Sequence, residues 1–177
     1  MLTVEALADY TQGRLDPDAD ETAEILERSL AEVRKFCGWH VSPVITADEI
    51  TIDGPGGRLL WLPTLRVVDL TEVIENGVTL DVNELEWSQN GLVRKPVTAP
   101  DWTLKFRAIT VTMTHGVEAK DFEAAVLSVA DRKSQTPVGG AVVSVGPFRW
   151  SEERVSGAGF TSAELSILRQ YRLDRPA

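Results

Sequence analysis

The sequence predicts an α+β fold: a small bundle of two main helices, an inserted antiparallel β-domain, and an extended C-terminal arm ending in a short helix. Three observations point there. Apolar residues recur at helical spacing before residue 38 and again after residue 120. Residues 50–116, between them, are short β-branched and aromatic runs separated by turn signals, with Asn76-Gly77 the strongest. The last 37 residues are punctuated by glycine, apolar only in patches, and attached through Thr136-Pro-Val-Gly-Gly.

Taken in order, Thr3 to Tyr10 predicts a short helix ended by Gly13 and Asp16-Pro17. A longer helix follows, capped by Asp18 or Asp20 and ended by Gly38 at the C′ position. Its expected inner stripe is Ala23, Leu26, Leu30, Val33 and Cys37. Acids in its first turn and Arg34 with Lys35 in its last complement the helix dipole, and Glu24 with Arg28 forms an i, i+4 pair. In the β-region, Glu49 to Asp53 is expected to turn at Gly54-Pro-Gly-Gly and return as Arg58 to Leu62, stopped by Pro63. Val67 to Glu75 and Val78 to Asp81 flank the Asn-Gly turn, and Glu84 to Ser88 faces Leu92 to Lys95 across Gln-Asn-Gly. Ile109, Val111 and Met113 alternate with three threonines, giving one apolar and one hydroxyl face. The pattern is that of a small antiparallel sandwich or barrel. Asp121 then caps a second main helix with Phe122, Ala125, Val126 and Val129 on its inner face, and Thr161 to Glu164 writes a capping box before Leu165, Leu168 and Tyr171.

With 177 residues the expectation is one compact domain plus the arm: a helical segment over 1–49, the β-region over 50–116, the second bundle helix over 117–136, and linker with arm over 137–177. No apolar run approaches the roughly 20 residues of a membrane span, so no membrane partner is expected. The acidic N-terminus lacks the basic and apolar regions of a signal peptide, which predicts synthesis and retention in the cytoplasm. The single Cys37 excludes an internal disulfide and is expected to be a buried hydrophobe. A net charge of −9 argues against a general nucleic-acid-binding surface. Its distribution is uneven: residues 1–36 carry 9 acids against 4 bases, whereas residues 147–177 carry 4 against 5.

The residues for catalysis are scarce. There are two histidines, His40 and His115, with no zinc-binding spacing, and each is expected to be a structural or turn residue. The glycines at 54, 56 and 57 lack the Lys-Ser/Thr of a phosphate loop, no Gly-x-Ser-x-Gly elbow occurs, and Asp16, Asp18 and Asp20 lack the spacing of a calcium loop. No catalytic residue, metal or cofactor is therefore expected. Of the five tryptophans, at 39, 61, 87, 102 and 150, all but Trp150 are expected in the core. The tail poses a physical problem, because an isolated helix of about a dozen residues is marginal in water. Either its helix completes the core of its own domain, or it is an arm that orders on a partner through Arg169, Arg172 and Arg175. Two other classes stay open: a β-sandwich module binding a glycan or cell surface through tryptophan, and a hydrolase using His115 with nearby acids.

The stretches Glu32-Val-Arg-Lys-Phe-Cys-Gly-Trp-His-Val-Ser-Pro43, Leu60-Trp-Leu-Pro-Thr-Leu-Arg-Val-Val-Asp-Leu70, Glu86-Trp-Ser-Gln-Asn-Gly-Leu92 and Val111-Thr-Met-Thr-His-Gly116, in this order and spacing, resemble the head-to-tail adaptor (connector) proteins of long-tailed bacteriophages, especially those of actinobacteria. The similarity covers most of residues 20–135, and beyond 140 it is loose, resting on residues 163–172. It implies a non-enzymatic virion protein of the head-tail interface. Twelve copies would ring the underside of the portal protein after DNA packaging, and a stopper or tail-completion protein would assemble on them. Genomic DNA would pass through an acidic channel without sequence-specific binding. The resemblance also favours the arm: Phe148, Arg149, Trp150, Phe160, Leu165, Leu168, Arg169, Tyr171 and Arg172 become the expected portal-docking residues. A homo-oligomeric ring needs two different patches on each copy, and Trp61, Leu62, Leu65 and Val67 are the candidate for one of them.

Overall fold

The computed structural model describes residues 2–135 and 159–174, which form two compact units. One is helical and comprises the described residues of 1–37 and 119–172; the other is the β-unit, residues 38–118 with 173 and 174.

In the helical unit, α1 (Val4–Tyr10) starts at an N-cap formed by the Thr3 side chain, which accepts from the Ala6 amide. Helix α2 (Asp20–Cys37) buries Thr22, Leu26, Ser29, Val33 and Cys37. The expected stripe is thus rotated: Ala23 is exposed and Leu30 only half-buried. Two small polar residues, Thr22 and Ser29, take inner positions, and the Ser29 hydroxyl is enclosed without a hydrogen-bond partner among the described residues, a cost that packing of the helix face offsets. Gly38 follows at a φ of +79°, the left-handed conformation that ends the helix. Helix α3 (Lys120–Gln135) buries Phe122, Ala125, Val126 and Val129, the expected face, together with Ala130. Asp121 is not its cap: the Glu123 amide donates to the Ala119 carbonyl, which places the helix start ahead of Asp121. The ion pairs Lys133 to Glu32 and Arg14 to Asp131 tie α3 to α2 and to the turn after α1.

Helix α4 (Ser162–Leu168) belongs to this unit and runs on into a 3₁₀ turn, Arg169–Tyr171. Its capping box is formed as the sequence indicated, with Thr161 and Glu164 each receiving the other's amide proton.

The β-unit holds two antiparallel sheets. Strands β1 (Ile45–Ile52), β3 (Val67–Glu75), β4 (Val78–Leu80) and β7 (Ile109–His115) form the first, in the order β1-β7-β3-β4. Strands β2 (Leu59–Trp61), β5 (Glu86–Ser88) and β6 (Leu92–Arg94) form the second, in the order β2-β6-β5. Asn76 and Gly77 both take positive φ, 52° and 82°, the twist a two-residue hairpin requires, and they join β3 to β4 in register. Strand β7 alternates buried and half-buried residues along its whole length, with Ile109, Val111, Met113 and His115 inward. Leu60, Val73, Val93, Trp102, Val111 and Met113, drawn from both sheets, lie in one apolar core.

The hairpin expected across Gly54-Pro-Gly-Gly does not form. Strand β1 pairs with β7, and β2 pairs with β6 in the other sheet. These glycines instead let the chain lie against residues 102–105: the Gly54 amide donates to the Lys105 carbonyl at 2.9 Å and the Gly56 amide to Thr103 at 3.1 Å. A Cβ on Gly54 would stand 2.0 Å from the Thr103 carbonyl oxygen, so this approach excludes any larger residue.

Candidate functional site

The arm's last turns are fixed by polar and aromatic contacts inside the helical unit. Glu164, 3% exposed, is the hub: its carboxylate accepts from the Arg132 guanidinium at 2.9 Å, the Ser128 hydroxyl at 3.0 Å and the Thr161 amide at 2.8 Å. Arg132 also donates to the Gly159 carbonyl, so the same cation holds both the entry to α4 and its first turn. Phe160 meets Phe36 edge-on at 5.3 Å, Tyr171 meets Phe122 at 5.7 Å, and the Arg172 guanidinium lies 5.8 Å from the Phe36 ring. The Tyr171 hydroxyl donates to Asp121 at 2.7 Å. Burial, and then that carboxylate, push the tyrosine up to about 12.

These contacts correct part of the docking set. Phe160 and Leu168 are 1% and 0% exposed within their own unit, so their side chains present no surface to a partner. Leu165 is half-buried, Tyr171 and Arg172 are engaged as above, and Arg169 is exposed. The physical reason is the one that made the arm a puzzle: a helix this short needs a surface, and burying two large side chains contributes on the order of 1.5–3 kcal/mol each. Phe148, Arg149 and Trp150 lie outside the described residues.

The candidate subunit patch divides in the same way. Leu62 and Val67 are core residues at 1% exposure, Leu65 is half-buried, and Trp61 stands 45% exposed. Strand alternation decides this, since Leu60 points inward and Trp61 therefore points out. Two tryptophans expected in the core are thus at the surface, Trp61 and Trp87, while Trp39 and Trp102 are buried. Trp61 is opposite Leu92 and Trp87 is opposite Val93, so the two exposed rings project from opposite faces of one sheet and do not make a shared platform for a sugar.

The β-unit brings the two histidines together, which the sequence spacing did not signal. His115 is 4% exposed; its Nε2 is 2.9 Å from Asp48 Oδ2, and its ring meets His40 edge-on at 5.9 Å. His40 Nε2 donates to the Pro43 carbonyl at 2.7 Å. The geometry orients two rings at the end of β1 and β7. Among the described residues His115 Nδ1 has no hydrogen-bond partner, so the ring is held through Nε2 alone. Among the described residues no group of three or more His, Cys, Asp or Glu side chains is arranged to hold a metal ion. Cys37 is enclosed beside the Leu168 carbonyl at 3.9 Å, and burial pushes its thiol up to about 12.

A buried ion pair that sequence reasoning missed lies in the β-unit. Lys95, 4% exposed, sets its Nζ 2.5 Å from Glu75 Oε2 and 4.4 Å from the centre of the Trp102 ring. Glu75 Oε1 accepts from the Thr103 amide at 2.7 Å, and Trp102 Nε1 donates to the Arg58 carbonyl at 3.1 Å. The cluster fixes the path of residues 101–103 over the sandwich. Beyond it, Leu104 and Phe106 stand 78% and 83% exposed, another feature that the sequence reading passed over.

No family model matches the sequence, and no curated protein matches it. Solved structures do. A chain in the neck of an empty gene transfer agent particle, computed with sixfold symmetry, superposes with a TM-score of 0.64 at 13% identity, over 98% of this chain and 90% of that one. A chain of the virion of a native gene transfer agent particle gives 0.62 at 14% identity, over 98% and 90%. The protein shares the fold of a chain found in the neck of a gene transfer agent particle.

Proposed function

We propose that this chain is a structural head-to-tail adaptor of a long-tailed phage or phage-like particle. The observation that carries the reading is the shared fold: a virion neck chain matches across 98% of the protein, helical unit and β-unit alike. The sequence resemblance to connector proteins reached the same class from different information, namely residue motifs. In this reading twelve copies form a ring on the portal after DNA packaging and offer the surface on which the stopper and tail assemble. A sixfold-symmetric neck, as in the neighbouring structure, accommodates a ring of twelve. The net charge of −9 suits a channel wall, because acids repel the phosphates that must slide past, whereas clustered Lys and Arg would retain them.

Portal docking falls to Phe148, Arg149 and Trp150 together with the exposed Arg169 and Arg172, since Phe160 and Leu168 are spent in the chain's own core. Removing the gene product from an otherwise complete particle tests the reading. The expected result is DNA-filled heads and free tails, both normal in outline and not joined. Complete, infectious or transducing particles without the protein would refute it.

A further inference from the structure

The β-unit carries a loop whose backbone is fixed and whose apolar side chains stay largely exposed, Leu104 resting one edge over Gly56. Leu104 and Phe106 are 78% and 83% exposed, and Val97, on the preceding turn, is 84% exposed. Isolated exposed hydrophobes are ordinary, but two large ones, Leu104 and Phe106, standing two residues apart on one pinned loop are not. The pinning is extensive. Thr103 donates its amide to Glu75, Lys105 and Thr103 accept from Gly54 and Gly56, and the Arg107 amide donates to Asp53 Oδ1 at 2.7 Å. Arg107 is held at a φ of +51°, a conformation that costs a non-glycine residue free energy and persists only where its surroundings impose it. Arg58 braces the turn beneath Val97 by donating to the Pro96 and Ala99 carbonyls and pairing with Asp101. A loop ordered in advance loses little conformational entropy when its side chains are covered.

We propose that Leu104-Lys-Phe-Arg107 is a preformed docking tip that seats on a neighbouring copy of this chain. The proposal rests on the ring reading above and names the contact that closes the ring. Charge complementarity favours a second copy: the tip places two exposed cations, Lys105 and Arg107, around Phe106 against the one carboxylate of Asp53, so it is locally positive in a chain whose net charge is −9 and whose residues 1–36 carry 9 acids against 4 bases. Closed rings need heterologous contacts, a protruding element on one side meeting a different surface on the next copy, and the tip is such an element. Nucleic acid fits less well, because two cations separated by an apolar ring gain little against a surface otherwise acidic.

The test uses the full chain bound to isolated portal rings, with equal amounts of ¹⁴N- and ¹⁵N-labelled protein and a zero-length carbodiimide coupler. Mixed-isotope peptide pairs joining Lys105 to a carboxylate of another copy are expected. Phe106→Ser should reduce closed rings at least tenfold while its circular dichroism and melting match the parent, as a side chain this exposed allows. Charge reversal of Lys105 and Arg107 to glutamate should act in the same direction. If Phe106→Ser and the charge-reversed chain close rings like the parent, the tip is not the subunit contact, and the ring reading stands without it. Coupling of Lys105 to portal carboxylates instead would overturn the proposal and assign the tip to the portal. A parent chain that never assembles on portal would overturn both the tip proposal and the ring reading.

Discussion

Replacing Lys95 with methionine is expected to destabilise the β-unit by about 3–5 kcal/mol, the cost of leaving one charge of a buried pair without its partner. Methionine fills a similar volume, so the loss reports charge and not a cavity. Glu75 would remain, 12% exposed at its side chain, with one oxygen still accepting from the Thr103 amide and the other facing an apolar wall where the ammonium had been. Trp102 would also lose the cation 4.4 Å from its ring. A double variant, Lys95→Met with Glu75→Gln, should recover most of the loss, because the neutral amide keeps an acceptor for Thr103 and carries no charge. Urea unfolding of parent, single and double variants measures both quantities. A single variant that loses less than about 1 kcal/mol, or a double variant no better than the single, would show that the pair does not hold residues 101–103 in place.

Glu164→Ala is expected to cost about 2–4 kcal/mol and to release α4 from the helical unit. The estimate combines a lost cap, on the order of 1 kcal/mol, with the hydrogen bonds left unmade by Ser128 and by Arg132, whose side chain is 29% exposed and recovers part of its hydration. Glu164→Gln should fall between, since its amide oxygen still receives the Thr161 amide but no longer balances the guanidinium. Hydrogen exchange over residues 160–171 reads the release directly, with protection falling there first and in α2 and α3 much less. Unchanged protection in Glu164→Ala would mean that the apolar contacts of Phe160 and Leu168 alone secure the helix.

Much of the fold was legible because local chemistry and tertiary structure agree. The helical spacing of Phe122, Ala125, Val126 and Val129, the Asn76-Gly77 turn, the alternation of β7 and the Thr161 capping box all appear as read. Where local signals were ambiguous, the longer-range choice was not legible. Gly54-Pro-Gly-Gly has the composition of a turn, yet its glycines serve close approach to Thr103 and Lys105, a neighbour no local pattern announces. Leu62 and Val67 appeared as a surface patch because a run of apolar residues does not reveal which of them alternate inward. The Lys95 to Glu75 pair and the meeting of His40 with His115 join residues far apart in the chain, and only the strand register brings them together. The candidate site was therefore less legible than the scaffold. Phe160 and Leu168 were singled out as apolar residues needing cover, and their cover is their own helical unit. The exposed tip at Leu104 and Phe106 carries no motif at all.

The measurement that bears most directly on the role of this protein is electron microscopy of isolated portal rings mixed with the purified chain. An added, continuous ring of twelve copies seated on each portal is the expected image. Bare portals beside a chain that stays monomeric at saturating concentration would contradict the adaptor reading.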